Sequence, residues 1–206
     1  MKKIITAPTT YEDELVQQGM SPIAGIDEAG RGALAGPVVA CAVILPAHLV
    51  IDGVNDSKKL SAKRRAELAC TIKDKALAYE FGIIDAGIID KINILQAALL
   101  AMETAANALN ITPRAVLVDG NKLPQNLPGY AKCIKQGDSH SHIIAAASIL
   151  AKQQRDAIMQ ELHNTYPQYN FAKHKGYGTA EHRQAIQQHG QSPYHRKSFI
   201  CKIQNI

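Results

Sequence analysis

Three short apolar runs, each leading to an acidic residue where the run meets a glycine or a turn, constrain this chain more than any other feature. They are Ile23-Ala24-Gly25-Ile26 before Asp27 and Glu28, Ala115-Val116-Leu117-Val118 before Asp119, and the run from Cys133 to Gly137 before Asp138. Runs this short, punctuated by turn residues, read as buried strands. In open α/β sheets ligands bind outside the carboxyl ends of strands, so acids at three such ends are candidates to converge on one spot. Four carboxylates gathered there repel one another unless a divalent cation neutralises them. The pattern therefore predicts a metal site.

The remaining periodicities supply the frame. A second apolar run, residues 37–45, follows the first after a Gly-rich turn, and residues 79–84 read as a third strand. An amphipathic helix is predicted over residues 61–78. A second opens at Asn93 and carries Ile94, Leu95, Ala98, Leu99, Met102, Ala106 and Leu109 at helical spacing. Residues 115–118 and 130–136 are further strands. Ser139 or Ser141 is a candidate cap for a helix from His142 to about Asn164, and a last short helix covers residues 180–188. Three strands with little helix between the first two, then alternating helix and strand, then helices, predict an α/β fold: a mixed sheet flanked by helices, with a small C-terminal helical appendage.

Composition narrows the partners. The 206 residues suffice for one domain, and no stretch reaches the ~18 apolar residues of a membrane span. With no signal-peptide core among the first eight residues, a cytoplasmic protein is expected. The four cysteines lie far apart with no Cys-x-x-Cys pair, which argues against zinc and disulfides. Residues 1–130 hold 13 Lys and Arg against 14 Asp and Glu, whereas residues 131–206 hold 10 against 4. A basic C-terminal third beside an acidic site suits a polyanion. Charge alone is equally compatible with simple solubility.

Each constellation has a plainer reading. Adjacent strand residues face opposite sides, so Asp27 and Glu28 serve one site only if the strand ends or distorts there. The following Gly30-Arg31-Gly32 allows a sharp turn with backbone N–H groups offered to a ligand, or merely a tight connection. Asp119-Gly120 is also a common turn dipeptide, and Asp138 alone reads as a cap. Lys58 and Lys59 are candidate phosphate contacts or solvated surface. Tyr177, set among Lys173, His174, Lys175, Gly176 and Gly178, suits stacking on a sugar or base, or is part of a loop. His140 and His142 are expected at the surface. Neither a dinucleotide fingerprint nor a P-loop is present.

Taken in order, Gly25-Ile26-Asp27-Glu28-Ala29-Gly30-Arg31-Gly32 with Gly36-Pro37-Val38-Val39, Asp56-Ser57-Lys58-Lys59-Leu60, Val118-Asp119-Gly120, Gly137-Asp138 with residues 144–152, and His174-Lys175-Gly176-Tyr177-Gly178-Thr179 resemble the motifs of bacterial ribonuclease HII. The resemblance spans residues 23 to about 199. It departs from the family at Ala33, where proline is frequent, and in the loose segment holding His140 and His142.

The resemblance implies a ribonuclease H-like fold, a catalytic domain over residues 21–166, an N-terminal extension over 1–20 and a substrate-binding segment over 167–206 packed on the same domain. It implies Mg2+- or Mn2+-dependent endonucleolytic cleavage of the RNA strand of RNA–DNA hybrids, and cutting 5′ of single ribonucleotides in duplex DNA. Asp27, Glu28, Asp119 and Asp138 would bind the metal. Gly30, Arg31 and Gly32 would read the ribose 2′-hydroxyl, and Tyr177 would stack on the sugar after the junction. The expected mechanism uses two ions about 3.5 to 4 Å apart, bridged by Asp27, and leaves 5′-phosphate and 3′-hydroxyl ends. A monomer is expected. The alternatives are another metal-dependent nuclease of this fold, or a non-catalytic RNA- or duplex-binding protein.

Overall fold

The computed structural model describes residues 5–204. The first two apolar runs form β1 (Ile23–Ala29) and β2 (Val38–Ile44), paired antiparallel with Ile26 opposite Ala42. β3 (Ala78–Ile84) continues the meander along β2. On the other side of β1 the chain adds β4 (Ala115–Asp119) and β5 (Tyr130–Ile134), both parallel. The sheet order is β3-β2-β1-β4-β5, the mixed arrangement expected from the sequence.

Strand alternation sends residues to two cores. Ala24, Ile26, Ala40, Ala42, Val116 and Val118 face one side and pack on α3 (Ala86–Ala108). Ile23, Cys41, Val43 and Leu117 face the other and pack on α5 (His142–Thr165), with α2 (Ala62–Lys75) beside it. α5 approaches β1 closely because its contact face is Ala145, Ala146 and Ala147 and because position 25 has no side chain. A Cβ on Gly25 would stand 2.5 Å from the Ile143 carbonyl carbon and oxygen. Gly25→Ala is therefore expected to destabilise the protein by about 3 kcal/mol, read from the urea midpoint; a loss under about 1 kcal/mol would mean that α5 can slide.

Elements beyond those expected arise from local capping. α3 starts before Asn93, where Asp85 accepts the Ile88 N–H at 2.8 Å. It breaks at Asn93, whose φ is 67° and whose side chain accepts the N–H groups of Leu95 and Gln96, so the helical spacing seen from Asn93 onward is its second segment. The N-terminal stretch forms α1 (Thr10–Gln17). Glu12 from α1 accepts the Ser141 hydroxyl at 2.7 Å and the Ile143 N–H at 2.8 Å, tying the stretch to the start of α5. Of the two histidines expected at the surface, His140 is exposed. His142 is buried, because its Nε2 accepts the Ile51 N–H at 3.1 Å as α5 begins.

Past α5 the chain forms α6 (Phe171–His174), α7 (Ala180–His189) and α8 (Lys197–Gln204). Tyr169 and Phe171 pack on Met159 and Leu162 of α5, while Leu34, Ile186 and Ile200 form a second contact. No helix among the described residues is long and apolar enough to cross a membrane.

Candidate active site

β1 lies between its antiparallel and parallel neighbours, and its carboxyl end and that of β4 are adjacent. The β1–β4 pairing stops at Ile26 opposite Val118, although β1 remains paired with β2 through Ala29. The strand therefore does not end at Glu28. Its β4-side edge simply opens there, and Asp27 and Glu28 both line the resulting cleft of about 370 Å³. Asp119, Gly30, Arg31, Gly32, Lys58, Ser148, Lys152 and Tyr177 also line it.

Each acid has its own partner. Asp27, 3% exposed, accepts its neighbour's N–H, from Glu28, at 2.7 Å, and Ser148 lines the same cleft. Glu28 is paired with Arg31 at 3.1 Å. Asp119 accepts the Gly137 N–H at 2.7 Å, where α4 (Gly137–His140) begins. Asp138 lies in α4 outside the cleft lining, 3.3 Å from the Lys58 ammonium. Lys59 reaches the Ser139 hydroxyl at 3.1 Å. The lysine pair thus spans from a polar turn to the α4 segment while both side chains stay largely exposed.

The electrostatics match crowded anions. Burial raises the Asp27 carboxyl well above the usual range, and the charges of Glu28 and Asp119 raise it further. Burial also raises Glu28, against the pull of Arg31, and raises Asp138, against the pull of Lys58. At Lys58 desolvation is outweighed by Asp138 and Asp27, so its ammonium is held charged more firmly than usual. Among the described residues no three His, Cys, Asp or Glu side chains close into a preformed cation cage. The carboxylates stand as an open set with two basic side chains between them. An all-oxygen donor set of this kind fits Mg2+ or Mn2+ and does not fit zinc.

Several contributors escaped sequence reasoning. Ser148, Lys152 and Arg155 form one stripe of α5 at spacings of four and three, beginning inside its apolar first half, so the stripe was legible in principle. Ser148 also bonds Ser57 at 2.8 Å, fixing the lysine-bearing turn. Arg155 is fully buried and donates to the carbonyls of Pro37, Lys175 and Ala35 at 3.0, 3.0 and 3.1 Å, with its guanidinium 5.4 Å from the centre of the Tyr177 ring. Gly30, at φ 97°, leaves room for it: a Cβ there would stand 1.9 Å from Arg155 Nε. Arg196, also fully buried, donates twice to Gly36 and once to the Arg31 carbonyl. The two arginines hold the Gly30–Gly32 turn and the Tyr177 loop against each other.

The ribonuclease HII family model matches residues 24–202. Ribonuclease HII of Chlamydia pneumoniae is 53% identical over 190 residues, covering 92% of this chain and 88% of that protein. Ribonuclease HII of Chlorobium phaeovibrioides is 50% identical over 202 residues, 96% and 98% of the two chains. The crystal structure of ribonuclease H2 from Pyrococcus horikoshii superposes with a TM-score of 0.72 at 25% identity, covering 89% of this chain and 97% of that one.

Proposed function

The chain belongs to the ribonuclease HII family, and from that membership we propose an endonuclease that hydrolyses the RNA strand of RNA–DNA hybrids and cuts 5′ of single ribonucleotides in duplex DNA. The observation that carries this reading is a single cleft lined by Asp27, Glu28 and Asp119 together with Gly30, Arg31, Gly32 and Tyr177. Acids alone repel phosphate, so a binding protein without metal gains nothing from them.

Asp27, Glu28, Asp119 and Asp138 would hold the metal, Mg2+ or Mn2+. A pair of such ions supplies an activated water for in-line attack and charge stabilisation at the leaving 3′-oxygen. The chain's own residues do the rest. The Glu28 amide fixes the Asp27 carboxylate, and the Gly137 amide fixes that of Asp119. Gly30, Arg31 and Gly32 present backbone to the ribose, where the 2′-hydroxyl is what separates RNA from DNA. Lys58 and Lys59 are phosphate contacts, and Tyr177, 38% exposed with Arg155 beneath it, is a platform for the sugar past the junction.

Cleavage of matched duplexes with no, one or many ribonucleotides, with Mg2+ or Mn2+, tests the reading. Cutting 5′ of the single ribonucleotide is expected, with none of the all-DNA duplex. Binding without cleavage under either ion would favour a non-catalytic role. Tyr177→Ala is expected to lower kcat/KM on the single-ribonucleotide duplex about tenfold while weakening all-DNA duplex binding far less, in line with the ~1–3 kcal/mol of a stacking contact. Equal losses on both would remove the junction-sensing role.

A further inference from the structure

Three buried histidines stand behind the Tyr177 loop, away from the carboxylates. His182 and His195 are 0% and 2% exposed and His174 is 8% exposed. The groups around them permit one proton arrangement. The Ser192 N–H and hydroxyl both lie against His195 Nδ1, at 2.9 and 2.8 Å, so that nitrogen accepts and Nε2 carries the hydrogen. His195 Nε2 then donates to His182 Nε2 at 3.0 Å, which leaves His182 protonated on Nδ1 and donating to the Tyr177 carbonyl at 3.0 Å. His174 stacks on His182 with ring centres 4.4 Å apart, accepts the Gly176 N–H at 3.2 Å and bonds the Tyr169 carbonyl at 2.7 Å. Burial lowers His182 and His195 to about 4, so the neutral rings this order requires are the ones present at neutral pH.

The order has a direction and ends on the residue that faces the cleft. Apolar side chains would fill the same space but strand the Ser192 N–H, whereas the histidines carry a polar linkage from Ser192 to the Tyr177 carbonyl, which also accepts the Thr179 N–H at 2.9 Å. We propose that His182 and His195, with His174 stacked against them, are positioning residues that fix the Tyr177 backbone and thereby set the preference for a single ribonucleotide in DNA over a continuous hybrid. This rests on the junction-sensing reading of Tyr177. None of the three touches the reacting atoms.

The test is a double-mutant cycle with a conservative rescue. His182→Leu is expected to lower the ratio of kcat/KM on the single-ribonucleotide duplex to that on a continuous hybrid about tenfold, with no further drop when Tyr177→Ala is added. His182→Asn, whose amide nitrogen stands where Nδ1 stood, recovers most of the ratio. His195→Gln keeps a donor toward His182 and stays near the parent, whereas His195→Met follows His182→Leu. Imidazole 15N shifts of the parent protein are expected to show His182 protonated on Nδ1 and His195 on Nε2. Additive losses in the cycle, or His182 protonated on Nε2, overturn the proposal. A silent Tyr177→Ala sinks the junction reading instead, and the 15N assignment still decides whether the histidine order exists.

Discussion

Asp27→Asn is expected to reduce cleavage by roughly three orders of magnitude or more while raising the melting temperature of the metal-free protein by a few degrees. The first effect follows because the carboxylate is the least exposed of the four and lies within the electrostatic reach of both Glu28 and Asp119 in the cleft. The second follows from its raised pKa. A carboxyl whose pKa is raised on folding favours the fold when protonated and loses that contribution as pH rises from the ordinary carboxylate range through its folded value, so at neutral pH the buried carboxyl is a burden that asparagine removes. Asparagine keeps an oxygen for the Glu28 N–H. By the same sign, the metal-free parent gains stability as pH falls from neutral toward the usual carboxylate range, and the variant gains less. Divalent cation should stabilise the parent by about 2.7 kcal/mol at a hundredfold excess over Kd, and the variant by less. Thermal melts with and without Mg2+, beside a cleavage assay, check both halves; near-normal turnover or a lowered melting temperature would remove Asp27 from the role.

The second large effect is expected away from the acids. Arg155→Met removes three hydrogen bonds and leaves the carbonyls of Ala35, Pro37 and Lys175 without donors in the interior. Buried acceptors stranded in this way cost about 1–3 kcal/mol each when fully isolated, so a total loss of about 4 kcal/mol in the urea midpoint is expected. Lysine should not rescue it, because a single ammonium cannot reproduce a planar fork aimed at three carbonyls. Activity on single-ribonucleotide duplexes should fall as well, since Tyr177 loses both the cation beneath its ring and the tie at Lys175. A variant within about 1 kcal/mol of the parent would show that water takes over the guanidinium's bonds.

Much of this was legible before any coordinates, for identifiable reasons. The buried runs at β1, β2 and β4 announce themselves because both faces of those strands are apolar or nearly so, and the helical spacing after Asn93 and His142 is long enough to be unambiguous. The acids were visible as interruptions of that pattern. What stayed hidden depends on distance in sequence. Lys58 meets Asp138 across 80 residues, and Glu12 meets Ser141 across 129. The opening of β1 at Asp27 is a property of where β4 ends. Short α1 and α4 owe their helical form to tertiary contacts rather than to propensity. The buried arginines and histidines were hidden for another reason: charged or titratable side chains read as surface until a cluster of carbonyls is shown to surround them.

Asp27 belongs to the middle strand of five, with strands on both flanks and a helix on each face. Asp138 rides on a four-residue helical turn beyond the edge strand, and its counter-ion is a lysine whose side chain is 78% exposed. The cluster consequently has a stiff half and a compliant half. If the four acids share an ion, as proposed, adjustment to a bulkier one falls to the compliant half, where a displacement disturbs a turn and not a sheet.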